Sequence, residues 1–183
     1  MGQHYGGRVE SLVFVMDDDA ASAGASRFRN VRLYETENLD FGLFRIEPFG
    51  TQDRNGTAAV EDDGATLYLA GNTWKRLALP YRVTPGTVLE FEFQSDKEGE
   101  IHALGFETDA APSARRFFRL YGTQPWGLSG YRYAGTGAWV AYRIPVGQHY
   151  RGRVASLVFA MDDDAASAGE SRFRHVRISE STP

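Results

Sequence analysis

The stretch GQHYRGRVASLVFAMDDDAASAGESRFRHVRISE, residues 147–180, repeats almost letter for letter the stretch GQHYGGRVESLVFVMDDDAASAGASRFRNVRLYE at residues 2–35. The two align without a gap at an offset of 145 residues and agree at 27 of 34 positions. They differ at Gly6/Arg151, Glu10/Ala155, Val15/Ala160, Ala25/Glu170, Asn30/His175, Leu33/Ile178 and Tyr34/Ser179. Solenoid units stack contiguously at periods of roughly 20 to 50 residues, so this is not a solenoid. A period of 145 residues is the size of a whole domain. The text therefore reads as tandem modules. Residues 36–183 are expected to form one complete module, and residues 1–35 to be the C-terminal strands of an identical module before it. Met1 directly before Gly2 is what a cut through such an array would leave. The competing reading is a segment duplicated inside one larger domain.

Within the complete module, short runs rich in β-branched and aromatic residues recur every 8 to 15 residues with turn signals between them. Strands are expected over 41–49, 66–70, 74–79, 87–94, 101–107, 117–121, 139–144, 154–161 and 173–178. The clearest is TVLEFEFQ, where Leu89, Phe91 and Phe93 alternate with Glu90, Glu92 and Gln94. A period of two sends the apolar side chains to a core and the polar ones to solvent. No segment sustains a helical apolar period. The nearest is Asp164 to Ala168, where an aspartate at the N-cap precedes one short turn ending at Gly169. Many strands without intervening helices specify an all-β fold, an antiparallel β-sandwich, and among these a jelly roll.

Bulk composition excludes several functions. The 183 residues are 42% hydrophobic and 13% aromatic, enough for a packed core, and carry a net charge of −4. No basic run is present to neutralise phosphates, which argues against nucleic-acid binding. No apolar run approaches the roughly 18 residues that suggest a membrane span. The opening residues are polar and glycine-rich, unlike a signal peptide, which says nothing of where a longer parent resides. With no cysteine, disulfides, thiolate metal sites and a cysteine nucleophile are all excluded.

Three constellations carry chemistry. Asp162, Asp163 and Asp164 follow an apolar strand directly, and their mutual repulsion would be relieved by calcium, which takes six to eight oxygen ligands. Asp109 and the run Glu61-Asp62-Asp63 are further oxygen donors; the competing reading is a solvated loop with a helix cap. The second constellation is aromatic: Tyr121, Trp126, Tyr131, Tyr133 and Trp139 fall close together, with Pro125 and Gly127 placing Trp126 in a loop. Rings held at a surface suit the apolar C–H faces of sugars, and Gln124, Arg132 and Asn72 are suited to hydrogen-bond their hydroxyls. Trp126 and Trp139 are equally natural core residues. The third is Glu100 with His102, an acid–base pair on one strand face, but catalysis is not expected from it. The glycosidase arrangement needs two carboxylates at a set separation, and no nucleophile elbow or His-Glu-x-x-His motif is present. His4, His149 and His175 belong to no site, and position 175 is Asn30 in the other copy.

TVLEFEFQSDKEGEIHALGFETD, RFFRLYGTQPWG, AWVAYRIPVGQHYRG and LVFAMDDDA together resemble the carbohydrate-binding-module-like β-sandwiches appended to bacterial extracellular polysaccharide-degrading enzymes and surface proteins. The likeness covers about residues 41–180. It implies a non-catalytic jelly roll, often repeated, with glycan binding and a structural calcium.

These observations lead to one functional expectation. The chain is a polysaccharide-binding module from a tandem array in an extracellular bacterial protein, stacking Trp126, Tyr131 and Tyr133 on sugar rings with Gln124 and Arg132 in support. Asp162, Asp163, Asp164 and Asp109 are the expected calcium ligands. The alternative is a calcium-stabilised adhesive or structural repeat that binds no glycan. Because a lone two-stranded ribbon is marginal in water, residues 1–35 are also expected to allow self-association by strand exchange.

Overall fold

A computed structural model describes residues 13–16, 24–28, 38–165 and 168–181. The chain divides into two compact units, Met1–Leu33 and Tyr34–Pro183. The larger unit runs through ten strands: β1 (Ile46–Pro48), β2 (Thr57–Glu61), β3 (Thr66–Ala70), β4 (Thr73–Val83), β5 (Thr87–Gln94), β6 (Ile101–Glu107), β7 (Phe117–Tyr121), β8 (Val140–Ile144), β9 (Gly152–Asp162) and β10 (Glu170–Glu180). They form two five-stranded sheets, β1-β4-β9-β6-β7 and β2-β3-β10-β5-β8, paired antiparallel throughout.

Apart from the β2–β3 and β6–β7 hairpins, successive strands cross from one sheet to the other. The layers β4-β9-β6-β7 and β3-β10-β5-β8 are the two halves of a jelly roll, each widened by one edge strand. The repeated text supplies β9 and β10, the middle strand of each sheet. No helix among the described residues is long and apolar enough to cross a membrane.

Alternation holds where it is legible. Leu89, Phe91 and Phe93 are buried, while Glu90, Glu92 and Gln94 are half-exposed. Between the sheets Phe159 meets Phe173 edge-on at 5.0 Å, and both pack with Phe41, Phe93 and Leu157 in the main core. Strand β6 is buried along its whole length. Its outward residues Ile101 and Ala103 belong to a second apolar cluster with Phe49, Trp74, Phe117, Val158 and Ala160, and Trp126 packs against that cluster. This accounts for the unbroken apolar text of IHALGF, since a strand covered on both faces loses its alternation.

Two expectations are corrected, and one strand is added that the sequence reading did not contain. The strand expected over 41–49 is only Ile46–Pro48. Phe41–Leu43 is instead a 3-10 turn whose Gly42 N–H donates to Asp40 Oδ1 at 2.9 Å. Strand β2 had no apolar signature because it lies at a sheet edge and is almost wholly exposed. The cap of the turn after β9 is Asp163 rather than Asp164: its buried Oδ2 accepts from Ala168 N at 2.8 Å and Gly169 N at 2.9 Å. Residues 166 and 167, inside the turn expected at 164–168, lie outside the described residues. Among the described residues the single α-helical turn is Val146–His149.

Candidate functional site

Register brings the acidic residues to one end of the first sheet. Asp162 ends β9 directly opposite Ile101, so Glu100, one residue before β6, lies alongside it. Its N–H donates to Asp162 O at 2.8 Å. Strand alternation then turns Asp162 and Asp164 to one side and Asp163 to the other. The carboxylates of Glu100, Asp162 and Asp164 gather within 4.8 Å of one another. Glu100 Oε2 accepts the Asp164 N–H at 2.8 Å, and Glu100 Oε1 accepts from Gln124 Nε2 at 2.8 Å. Asn72, in the β3–β4 turn, donates its amide to Asp164 Oδ1.

Burial pushes the Asp162 carboxyl up to about 6, with Asp164 and Glu100 adding to the shift. The Trp74 indole N–H lies near enough to oppose that rise in part, without reaching hydrogen-bond geometry. Two expected ligands fall away. Asp163 is committed to the backbone turn. Asp109 lies beyond the opposite end of β6, about 20 Å along the strand at roughly 3.3 Å per residue, where it accepts from Ala111 N.

The aromatic segment divides by burial. Tyr133 is 1% exposed, its hydroxyl donating to Ala138 O at 2.8 Å and its ring set edge-on against Phe93. It is a core residue and unavailable for stacking on a sugar. Tyr131 is half-buried, edge-on to Phe118, with its hydroxyl 2.7 Å from His149 Nε2. Trp126 is half-buried against Trp74 and Phe117, at 5.4 and 5.1 Å. Gln124 and Arg132 are exposed. Trp139 is half-buried on the outer face of the second sheet beneath the Arg174 guanidinium, 4.0 Å from its ring centre.

Arg132 lines a cleft of about 230 Å³ together with Glu98, Arg119, Tyr121, Gly122 and Ser129. Arg119 and Tyr121 are alternate residues of β7 and so share a face. Arg119 also steadies the neighbouring loop by donating to Gln124 O at 3.1 Å. Gly122, at φ 107, approaches Glu100 O too closely for any side chain, and so seats the loop beside the acidic cluster. Burial, and after it the Glu98 charge, raises the Tyr121 hydroxyl pKa and keeps it a donor. Arg132 has no ion-pair partner among the described residues. Sequence reasoning missed Arg119 and Glu98, although the two-residue spacing of Arg119 and Tyr121 carried the signal for one of them.

A second, broader depression of about 420 Å³ lies on the outer face of the other sheet. Its charges neutralise one another: Arg177 pairs with Glu90 at 2.9 Å, and His175 sits 3.3 Å from Glu92, which also takes Arg174 at 2.7 Å.

Glu100 and His102 do not act together. Glu100 turns to the surface cluster, while His102 is fully buried, accepting from Gly99 N at 2.8 Å and lying 2.8 Å from Ser171 Oγ. Burial lowers the His102 pKa to about 4, so the ring is neutral at ordinary pH, with Asp163 opposing the shift.

No protein-family model matches the sequence, and neither does any curated protein. Among solved structures, the chain is similar to the Endo-D glycoside hydrolase domain of Streptococcus pneumoniae at 14% identity and a TM-score of 0.46, over 76% of this chain and 22% of that one. It is similar to TmCBM61, solved with β-1,4-galactotriose, at 10% identity and a TM-score of 0.43, over 78% and 91%. It is also similar to a family 29 carbohydrate-binding module solved with cellulohexaose, at 12% identity and a TM-score of 0.43, over 81% and 92%. The chain thus spans under a quarter of the length of the first of these. The jelly-roll assignment rests on the strand order given above.

Proposed function

We propose that this chain is a non-catalytic polysaccharide-binding module whose sugar-contacting surface is the cleft around Tyr121 and Arg132. The observation that carries the reading is an aromatic wall beside a guanidinium that has no carboxylate partner among the described residues. Tyr121 offers a ring against which the C–H face of a sugar packs. Arg132 offers a planar fork of donors for hydroxyl or ring oxygens, and Glu98 an acceptor. Charges on the second sheet's outer face are already paired, and a ligand there would have to break those pairs. Gln124 stands at the border of the cleft through its contacts with Arg119 and Glu100, Tyr133 packs edge-on behind Tyr121, and Trp126 and Tyr131 pack instead against Phe117 and Phe118.

The near-copy at residues 2–35 favours an origin in a tandem array, and the resemblance to carbohydrate-binding-module-like sandwiches favours an extracellular bacterial parent. Shallow single sites bind weakly, and linked copies raise avidity through effective concentration. Its described residues suit exchange with β9 and β10 of a second chain, because Phe14 and Phe28 form the same edge-on ring pair as Phe159 and Phe173. Sedimentation that stays strictly monomeric at high concentration would remove the exchange.

Affinity electrophoresis through gels containing soluble plant, algal and bacterial polysaccharides tests the binding. Retardation by at least one polymer, abolished in Arg132→Ala and retained in Arg177→Ala, is the expected result. Retardation unaffected by Arg132→Ala would remove the cleft from the account.

A further inference from the structure

A sheet edge is a row of unpaired main-chain donors and acceptors, and folded proteins blunt it with shortness, charge, proline or a covering loop. Three of the four edges here are blunted in these ways. Strand β1 has three residues and ends in the exposed Pro48. The loop after β7 folds back on it, Leu128 N donating to Phe117 O at 2.7 Å and Tyr133 N to Leu120 O at 2.6 Å. Strand β8 carries Arg143, whose side chain is 60% exposed. Strand β2, TAAVE, has none of these devices. Thr57 to Val60 are exposed and uncharged, and its one charge, Glu61, is turned along the sheet to Arg172 at 3.3 Å. Its outward main-chain groups have no partner among the described residues. Apolar exposure collects at the same edge. Among the described residues of the larger unit, Leu43 and Val60 are the exposed large apolar side chains, at 55% and 42%. Val60 stands opposite the buried Leu67, so it lies on the inward face of the sheet where the sandwich has run out of cover. Leu43 ends the 3-10 turn that approaches Gly64, in the turn directly after β2.

We infer that two copies of this chain associate by pairing β2 antiparallel with itself, across a two-fold axis at Ala59, so that two five-stranded sheets become one continuous sheet. The strand is self-complementary in that register. Ala59 of one copy faces Ala59 of the other. Val60 faces Ala58 of the other copy on the inward face, and the two such pairs form one apolar strip. Glu61 faces Thr57, so no like charges stand opposite each other. The ends complement one another as well. The two-fold brings Arg54, shortly before β2 in one copy, toward Asp62 and Asp63, directly after β2 in the other. All three are exposed and without an ion-pair partner among the described residues. An isologous contact of this kind uses up both free edges and stops at two copies. A five-residue edge is small beside the roughly 800 Å² per partner of a standard interface, so the association is weak and grows with concentration. The pair carries two sugar clefts on one particle, which raises avidity for a polymer.

The chain has no cysteine, so the full chain with Ala59→Cys tests the register directly. Directly opposite Cβ atoms of antiparallel strands lie about 4.5–5.5 Å apart, close to the span of a disulfide. The expected result is a covalent dimer on mild oxidation. Thr57→Cys, about 13 Å along the strand from its symmetry mate, should stay uncrosslinked under the same conditions. Sedimentation of the unaltered chain should show a monomer–dimer equilibrium. Ala59→Lys, which sets two ammonium groups face to face, should weaken it at least tenfold while keeping the far-ultraviolet dichroism of the parent. Strand exchange through residues 1–35 would survive that variant, so a dimer left intact by Ala59→Lys would overturn pairing through β2. So would a monomer at every concentration, assemblies larger than two, or equal crosslinking at positions 57 and 59.

Discussion

Residues 13–28 and 158–173 carry nearly the same text in two settings. Phe159 and Phe173 are fully buried, one on each side of the sandwich. Phe14 and Phe28 are 50% and 56% exposed. Yet each pair makes the same contact, edge-on at 5.0 Å and 67° in the first case and at 4.6 Å and 61° in the second. The text therefore specifies the pairing of its two rings, while burial comes from the rest of the module. Strands β4 and β6 flank β9, and β3 and β5 flank β10. A segment supplying the middle strand of two sheets has its energetics set by its neighbours.

The comparison breaks most sharply at the rings. Phe159→Ala should lower stability by about 3–5 kcal/mol, the range for truncating a buried phenylalanine, whereas Phe14→Ala should stay within about 0.5 kcal/mol, as exposed substitutions do. Chemical denaturation of the two variants measures the difference; equal losses would mean that both copies bear the load of the core.

His102 provides the next largest effect, because it reaches Ser171 of the C-terminal copy, while its counterpart Ser26 is exposed. The His102 pKa is near 6.5 unfolded and about 4 folded. The folded state thus binds fewer protons in that window. Its contribution is fully present above about pH 6.5 and is lost as pH falls toward 4, about 3 kcal/mol over the interval. Asp162, raised to about 6, acts in the opposite sense, with stability lost as pH rises through 6. Subtracting the pH profile of His102→Gln from that of the parent isolates the histidine; parallel profiles would contradict the assignment.

Exchanging single residues between copies sharpens the comparison further. Ala160 is fully buried beside Trp74 in the second apolar cluster, where its copy is Val15. Ala160→Val should cost about 1–3 kcal/mol by overpacking, read from the Tm. His175 adopts φ 52, a left-handed conformation in which asparagine is at ease, and the other copy has Asn30 there. His175→Asn should change stability by less than about 0.5 kcal/mol, the lost contact to Glu92 being offset by the easier backbone.

How much of this was legible depended on which physical signal each residue carried. Alternation in TVLEFEFQ wrote β5 into the text, and many strands without helices pointed to a sandwich, while the crossing order of its strands became visible only in the structure. Strand β2 was invisible, because an exposed edge strand needs no apolar period. The acidic run announced a cluster but not its membership. Strand pleating sends Asp163 away from Asp162 and Asp164, and only the β6–β9 register brings in Glu100. Tyr133 read as a sugar platform because two tyrosines flanking an arginine share one side of an extended segment, and nothing in that spacing tells which side the core occupies. Asn72, named for sugar hydroxyls, meets Asp164 instead, a contact separated by 92 residues that no local pattern encodes.

The most direct test of the binding account is a map of backbone amide shifts on adding an oligosaccharide of whichever polymer retards the chain. The account predicts saturable shifts centred on Tyr121, Gly122, Ser129 and Arg132, with the amides of Glu90, Arg143 and Arg177 on the other sheet unmoved. Shifts centred on that second face, with the Tyr121 cleft silent, would contradict it.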